Sequence, residues 1–227
     1  MRSSIAKKIL ELIYRGRRYP APEMIVMQHQ RRRMLDFGDY DDYVRASTLE
    51  LISHEIHLRN VPGACAELGV YRGEFARLVN SLLMDRKLYL FDTFTGFDPE
   101  QLEHEKTLGF RDPTKDFKDT DVETVMSAMP NPEVCDVRKG RFPETAAGID
   151  GPFCLVSIDV DLFIPTLEGL RFFYPRLASG GYLMVHDYNN HRNYPGPRAA
   201  VEEFCMKGDP VPFVPLCDLF GSVVLRK

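Results

Sequence analysis

Tryptophan is absent from the 227 residues, and no uncharged apolar run approaches the roughly 18 residues that a membrane span requires. The N-terminus lacks a continuous apolar stretch ending in a small-residue cleavage site, so the sequence predicts a soluble, unsecreted, cytoplasmic protein with no stable membrane insertion. Cysteine is sparse: Cys65, Cys135, Cys154, Cys205 and Cys217 are odd in number and nowhere spaced C-x-x-C. That excludes a disulfide framework and fits a reducing compartment, with Cys154, inside an apolar run, read as a buried free thiol. No low-complexity tract or internal repeat is visible. What is present, 44% hydrophobic and 27% charged residues, is ordinary globular composition and excludes disordered and collagen-like classes.

The formal charge of −4 is unevenly distributed. Residues 1–33 hold nine Lys/Arg against Glu11 and Glu23, a local balance of +7, which leaves −11 for the remainder. Ile5, Ile9, Leu12 and Ile13 share one face of a helix capped by Ser3 or Ser4. A basic amphipathic helix suits an anionic membrane surface or an acidic partner. Without Trp or Phe anchors on its apolar face, packing on the chain's own acidic body or on a second subunit is the preferred reading. Arg31-Arg32-Arg33 has no interleaved aromatics, so no nucleic-acid partner is expected.

A longer helix is marked by Tyr43, Leu49, Leu51, Ile52 and Ile56, ending near Asn60-Val61-Pro62-Gly63. Beyond it, short apolar runs (Ala64 to Leu68, Leu88 to Phe91, Val134 to Val137, Phe153 to Ile158, Tyr182 to Val185) alternate with helical segments (Phe75 to Leu83, Val122 to Met129, Leu167 to Leu177). Continuous apolar strands alternating with helices predict a parallel sheet covered on both faces, an open doubly wound α/β fold. Val211 to Leu216 and Ser222 to Leu225 read as a closing hairpin. The charged stretch Glu103 to Asp121 reads as a lid or as a surface excursion. Two units are expected: a helical extension over 1–62 and an α/β domain over 63–227.

Three strand ends carry chemistry. The first, Glu67-Leu68-Gly69-Val70-Tyr71-Arg72-Gly73, is E-x-G-x-x-x-G: its glycines admit a close ligand, and its carboxylate suits an ammonium group better than a pyrophosphate. The second ends in Asp92, 23 residues after Gly69 and placed to accept from ribose hydroxyls. Together they describe a nucleoside bearing a cation, which S-adenosylmethionine fits. The third pairs Asp159 and Asp161 with His186 and Asp187, 27 and 28 residues after Asp159. Neighbouring parallel strands about 4.8 Å apart bring these ends together, as suits a divalent cation. Caps and turn residues are the plain alternative for the aspartates, and a structural imidazole for His186.

The order of Ala66-Glu67-Leu68-Gly69-Val70-Tyr71-Arg72-Gly73, Phe91-Asp92-Thr93-Phe94-Thr95-Gly96-Phe97, Lys139-Gly140-Arg141-Phe142-Pro143-Glu144-Thr145, Ile158-Asp159-Val160-Asp161, the helix start at Thr166, Gly180-Gly181-Tyr182 and Asp187-Tyr188 resembles the macrocin O-methyltransferase-like family. Those are class I S-adenosylmethionine enzymes that methylate sugar hydroxyls. The resemblance covers about 42–227, and Asp-Thr-Phe-x-Gly-Phe is its most specific phrase. It implies a Rossmann-like seven-stranded sheet with helices on both faces. Glu67, Gly69 and Gly73 then form the methionine-side loop, Asp92 the ribose ligand, and Gly140, Arg141 and Phe142 the adenine side, with Tyr71 and Thr93 also among the cofactor-binding residues. Asp159, His186 and Asp187 form a metal site for Mg²⁺ or Mn²⁺, with Asp159 or His186 as base. A sugar-containing small-molecule acceptor and a homo-oligomer, expected as a homodimer, are further implications. Three positions depart from the family pattern: His186 stands where Asp is usual, Phe163 where Tyr is usual, and Pro197 where Cys is usual. Imidazole in place of a hard oxygen ligand weakens a magnesium site or leaves His186 acting alone as base, near its ordinary pKa of about 6.5. A phenolic or catechol-type O-methyltransferase and a non-catalytic S-adenosylmethionine-binding protein are the rival readings.

Overall fold

A computed structural model describes residues 42–227 except 111–112, 114, 191 and 208–209; the basic helix expected over 5–13 and the Arg31-Arg32-Arg33 run lie outside the described residues. In chain order the elements are α1 (Tyr43–Leu58), β1 (Ala64–Leu68), α2 (Glu74–Leu82), β2 (Leu88–Asp92), α3 (Pro99–Thr107), α4 (Val122–Ala128), β3 (Cys135–Lys139), β4 (Phe153–Ile158), α5 (Phe163–Phe173), β5 (Leu177–Val185), α6 (Gly196–Met206), β6 (Phe213–Pro215) and β7 (Val223–Arg226). They build one seven-stranded sheet in the order β3-β2-β1-β4-β5-β7-β6. The first five strands run parallel, while β7 is antiparallel to both β5 and β6. This is the doubly wound sheet with a terminal hairpin that the apolar runs predict.

Burial explains the sequence texture. All six residues of β4 are buried, as a central strand covered on both faces requires, whereas edge strand β3 is only half-buried. Successive residues point to opposite faces. Leu90 and Leu155 join Leu49, Ile56 and Leu78 in one core, and Phe91 and Val156 join Phe153, Leu170 and Phe173 in the other. Helix α1 belongs to the first core, with Leu49 and Ile56 fully buried. Burying each is worth about 1.5–3 kcal/mol. The expected division at 62/63 therefore crosses a shared core. Asp42 fixes the start of α1: its carboxylate accepts from the Arg45 amide and from the Leu219 amide of the β6–β7 connection, both at 3.0 Å.

Several boundaries differ from expectation. Helix α5 begins at Phe163 rather than Leu167, and a 3₁₀ turn at Tyr174–Arg176 separates it from β5, which starts at Leu177. The first part of the expected 103–121 excursion is helical, within α3. All five cysteines are free, and the thiols of Cys65 and Cys154 lie 3.7 Å apart in the core. Among the described residues no helix is long and apolar enough to cross a membrane.

Helix α3 reaches the rest of the fold through Glu105, whose carboxylate accepts from the Phe163 amide at 2.7 Å and supplies the cap that the Leu162 side chain cannot. Burial pushes its carboxyl up to about 7, with the Phe163 amide pulling the other way. A raised folded-state value favours the protonated fold, so this contribution is full below about pH 4.5 and is lost as pH rises through about 7. Thermal denaturation across that window is expected to show a falling stability that Glu105→Gln flattens. An unchanged slope in the variant would contradict this role.

Candidate active site

The residues after each strand are held by the sheet ladder itself. The Gly69 amide donates to Phe91 O (2.9 Å), Asp159 to Leu68 O (2.8 Å), Gly140 to Asp92 O (2.9 Å) and His186 to Ile158 O (2.9 Å). Four loops are thereby gathered around a cleft of about 540 Å³ at the carboxyl end of the sheet. That is the crevice where open α/β sheets bind ligands, and the volume suits a cofactor with a small acceptor.

Gly69, with φ +87°, is required by close approach: a Cβ there would lie 2.0 Å from the Asp159 carbonyl oxygen. Gly73, with φ +78°, opens α2 and needs no side-chain cap. Glu67 is 2% exposed and lines the cleft, and its Oε2 has no hydrogen-bond partner among the described residues. Burial pushes the Glu67 carboxyl well above the usual carboxylate range, against the pull of the Arg45 cation. An orphaned buried carboxyl oxygen beside a glycine cradle fits the ammonium end of S-adenosylmethionine.

Asp92 is busier than its spacing suggests. One oxygen accepts from the Val70 and Tyr71 amides, both at 2.8 Å, and the other from the Phe94 amide at 2.7 Å. Three of about four acceptor positions are thus taken, so a ribose must share this carboxylate with the loop it organises. The Thr93 hydroxyl is likewise committed to a turn, donating to Gly96 O at 2.7 Å. Tyr71 reaches away from the turn: its hydroxyl donates to Asp119 at 2.7 Å and its ring meets Phe117 edge-on at 5.1 Å. Phe117 also packs on Phe97, and Lys115 lies over the Tyr71 ring, so the 115–119 segment closes one side of the cleft.

On the opposite side Gly140 has φ +134°. Arg141 pairs at the rim with Glu100 (3.1 Å) and Asp98 (3.7 Å). Phe142 is buried against Phe91, Phe172 and Phe173 and offers the cleft an apolar wall. Such a wall suits the face of a purine.

The charged cluster centres on Asp159. Its Oδ2 accepts from Arg45 Nη1 at 2.9 Å, and its Oδ1 lies 3.1 Å from His186 Nδ1. The same imidazole nitrogen is 3.1 Å from Asp187 Oδ2, while Asp187 Oδ1 accepts from Asn190 Nδ2 at 2.7 Å. Burial by itself raises the Asp159 carboxyl, but His186 and Arg45 outweigh it and hold the group well below the usual range. Burial and Arg45 oppose a charged imidazole, yet Asp159 and Asp187 push His186 up to about 9. Among these protein groups His186 is therefore an imidazolium donor at neutral pH, not the base near 6.5 that its ordinary pKa suggests. Burial, then Asp187 and Asp159, push the Asp161 carboxyl well above the usual range. Asp161 and Asp187 both adopt positive φ, +61° and +60°. Such left-handed backbone costs about 1–3 kcal/mol per residue and is characteristic of sites where the fold overrides local preference.

Arg45 and Asp42 were not singled out by the sequence. The signal for Asp42 was an N-cap aspartate directly before the Tyr43 helix; Arg45 left none. The sequence-selected residues Asp159, His186 and Asp187 do converge, with ligand-type atoms within 4.8 Å of one another. Their chemistry nevertheless does not fit a hard dication. Each oxygen of the two carboxylates faces a nitrogen donor, and a permanent guanidinium contacts the central one. Magnesium-type ions select oxygen-rich sets. Asp42, His186 and Asp218 are similarly close, but the Asp218 oxygens accept from the Ser222 amide (2.6 Å) and hydroxyl (2.5 Å).

The sequence pattern of the macrocin O-methyltransferase (TylF) family matches residues 43–209. Demethyldecarbamoylnovobiocin O-methyltransferase of Streptomyces niveus is 29% identical over 166 residues, covering 66% of this chain and 61% of that protein. Mycinamicin III 3''-O-methyltransferase of Micromonospora griseorubida is 29% identical over 161 residues, covering 63% and 61% respectively. The chain thus spans about 61% of the length of these curated relatives. Among solved structures, the O-methyltransferase NovP superposes with a TM-score of 0.64 at 22% identity, over 81% of this chain and 79% of that one. The calicheamicin methyltransferase CalS11 gives 0.65 at 19% identity, over 98% and 91%. At these identities the two structures establish the fold.

Proposed function

Because this chain belongs to the macrocin O-methyltransferase family, we propose that it transfers a methyl group from S-adenosylmethionine to a hydroxyl of a sugar-bearing small molecule. The observation that carries this reading is a cofactor-type loop with an orphaned buried carboxyl oxygen, Glu67 Oε2, opening on the same cleft as an ionised, partly exposed carboxylate, Asp159. The names of the two relatives, a novobiocin-type and a mycinamicin-type O-methyltransferase, support a glycosylated acceptor.

Bound S-adenosylmethionine supplies a methyl group already activated on a sulfonium. The protein's tasks are then alignment, exclusion of water and removal of one proton. Glu67 and the Gly69–Gly73 loop hold the cationic amino-acid end, Asp92 one ribose hydroxyl, and Phe142 a face of the base. Asp159 Oδ1 or Oδ2 accepts the proton of the acceptor hydroxyl as its oxygen gains the methyl carbon. A carboxylate with a depressed pKa is a weak base, so this transfer accompanies carbon–oxygen bond formation and does not precede it. His186 and Arg45 hold Asp159 ionised and in place until it takes that proton. The 115–119 segment shields the reacting atoms from solvent.

Calorimetry with S-adenosylmethionine, followed by methyl-transfer assays on sugar hydroxyls, tests the reading. Glu67→Gln is expected to weaken cofactor binding at least about tenfold, the worth of one charge-assisted hydrogen bond. It is also expected to raise the melting temperature of the ligand-free protein at pH 8, because it removes a buried carboxyl whose ionisation burial opposes. Wild-type protein that binds no S-adenosylmethionine would overturn the proposal; one that binds it without turnover on any hydroxyl would be a binding protein.

A further inference from the structure

We infer that Arg45 is a built-in replacement for the divalent cation at the Asp159–Asp187 pair, which makes methyl transfer by this chain independent of metal. The inference rests on the methyl-transfer reading above and adds the identity of the cation that serves it. Three observations carry it. The guanidinium is 4% exposed and donates to Asp159 Oδ2 at 2.9 Å and to Ser157 Oγ at 3.2 Å, so it is built into the β4 end rather than resting on its surface. It lies over the Phe75 ring with its carbon 4.0 Å from the ring centre, a contact that fixes its plane. Helix α1 presents it from a start locked by Asp42.

A guanidinium stays charged at every working pH. Placed on the carboxylate that receives the proton, it supplies the positive potential a dication would have supplied and occupies the oxygen a dication would have bound. His186 Nδ1, 3.1 Å from both Asp159 Oδ1 and Asp187 Oδ2, sets a second nitrogen donor on the same pair of carboxylates. Arg45 acts through Asp159 and is thus a positioning residue.

Titration of the full-length protein with Mn²⁺, read by electron paramagnetic resonance, tests this without reference to turnover. Wild type is expected to bind Mn²⁺ no more tightly than millimolar, and no differently from Asp159→Asn. Arg45→Met, which frees Asp159 Oδ2 and removes the charge, is expected to tighten binding at least tenfold. Adding Asp159→Asn abolishes that gain, and Arg45→Lys, which keeps the charge, does not show it. In the methyl-transfer assay wild type is expected to be unchanged by chelator, and Arg45→Met to fall at least tenfold and to recover in part with Mn²⁺. Micromolar Mn²⁺ binding by wild type that Asp159→Asn removes, or no tightening in folded Arg45→Met, overturns the inference. Should Arg45→Met fail to fold, the comparison of wild type with Asp159→Asn still decides it. Absence of methyl transfer in every variant counts against the functional reading alone, since the Mn²⁺ titration is unaffected by it.

Discussion

Asp159→Asn is expected to lower kcat by about 10³-fold while changing S-adenosylmethionine affinity by less than about threefold, the signature of a lost proton acceptor. The split follows from where the residue's contacts go. Its backbone amide donates to Leu68 O and its carbonyl packs against Gly69, so the cofactor loop keeps its support when only the carboxylate changes. The amide side chain accepts no proton from a hydroxyl. It also leaves the buried Arg45 guanidinium without its counter-charge, and breaking such a pair costs about 3–5 kcal/mol. Single-turnover rates should therefore be measured well below the variant's melting temperature, alongside calorimetric titration of the cofactor. A variant that keeps more than a tenth of wild-type kcat removes Asp159 from the proton-transfer role.

Gly69→Ala is expected to reduce cofactor affinity at least about 100-fold and to lower the melting temperature by many degrees. A Cβ at this position meets the Asp159 carbonyl oxygen at 2.0 Å and the carbonyl carbon at 2.7 Å, and both are backbone atoms of a ladder that cannot yield. Either β1 parts from β4 at its end or the loop moves outward, and a displacement of about 1 Å at a binding loop is enough for a loss of about 10². Gly109→Ala is the matched control. It too has positive φ, +76°, but nothing lies within 4 Å of its added Cβ. It should show only the backbone penalty of about 1–2 kcal/mol, with cofactor affinity unchanged. Equal losses in both variants would mean that φ alone, and not the approach of β4, sets the requirement for glycine.

The parallel sheet was legible because its strands are buried on both faces. Phe153 to Ile158 is apolar at almost every position, and nothing but a covered central strand accommodates that. Helix α3 was hidden for the opposite reason: its buried residues are Gln101 and Glu105, so it carries no apolar stripe. The capping pair Asp98-Pro99 was the available sign, with Asp98 accepting from the Glu100 and Gln101 amides. Helix α6 opens with Gly196-Pro197, which resembles a turn until Ala200, Val201 and Cys205 are seen buried on one face. At the site, residues that follow strands could be found because the fold class places strand ends together. Arg45 could not: it stands in the first turn of a helix, where a charge ordinarily faces water, and its partner is 114 positions away. Asp92 was legible in position but not in occupation, since the amides that use its carboxylate come from loop geometry and not from spacing.

The ladder bonds that continue past the ends of β1, β3, β4 and β5 set a clock for the site. A loop that swings on its own can open in nanoseconds to microseconds, but a residue tied into a central strand separates only when the strands do. Gly69, Asp159, Gly140 and His186 are all tied in this way. Their opening is therefore expected to share the slow rhythm of the whole sheet, whereas the 115–119 segment, tied to Tyr71 and Arg72 through Asp119, makes no such ladder bond among the described residues.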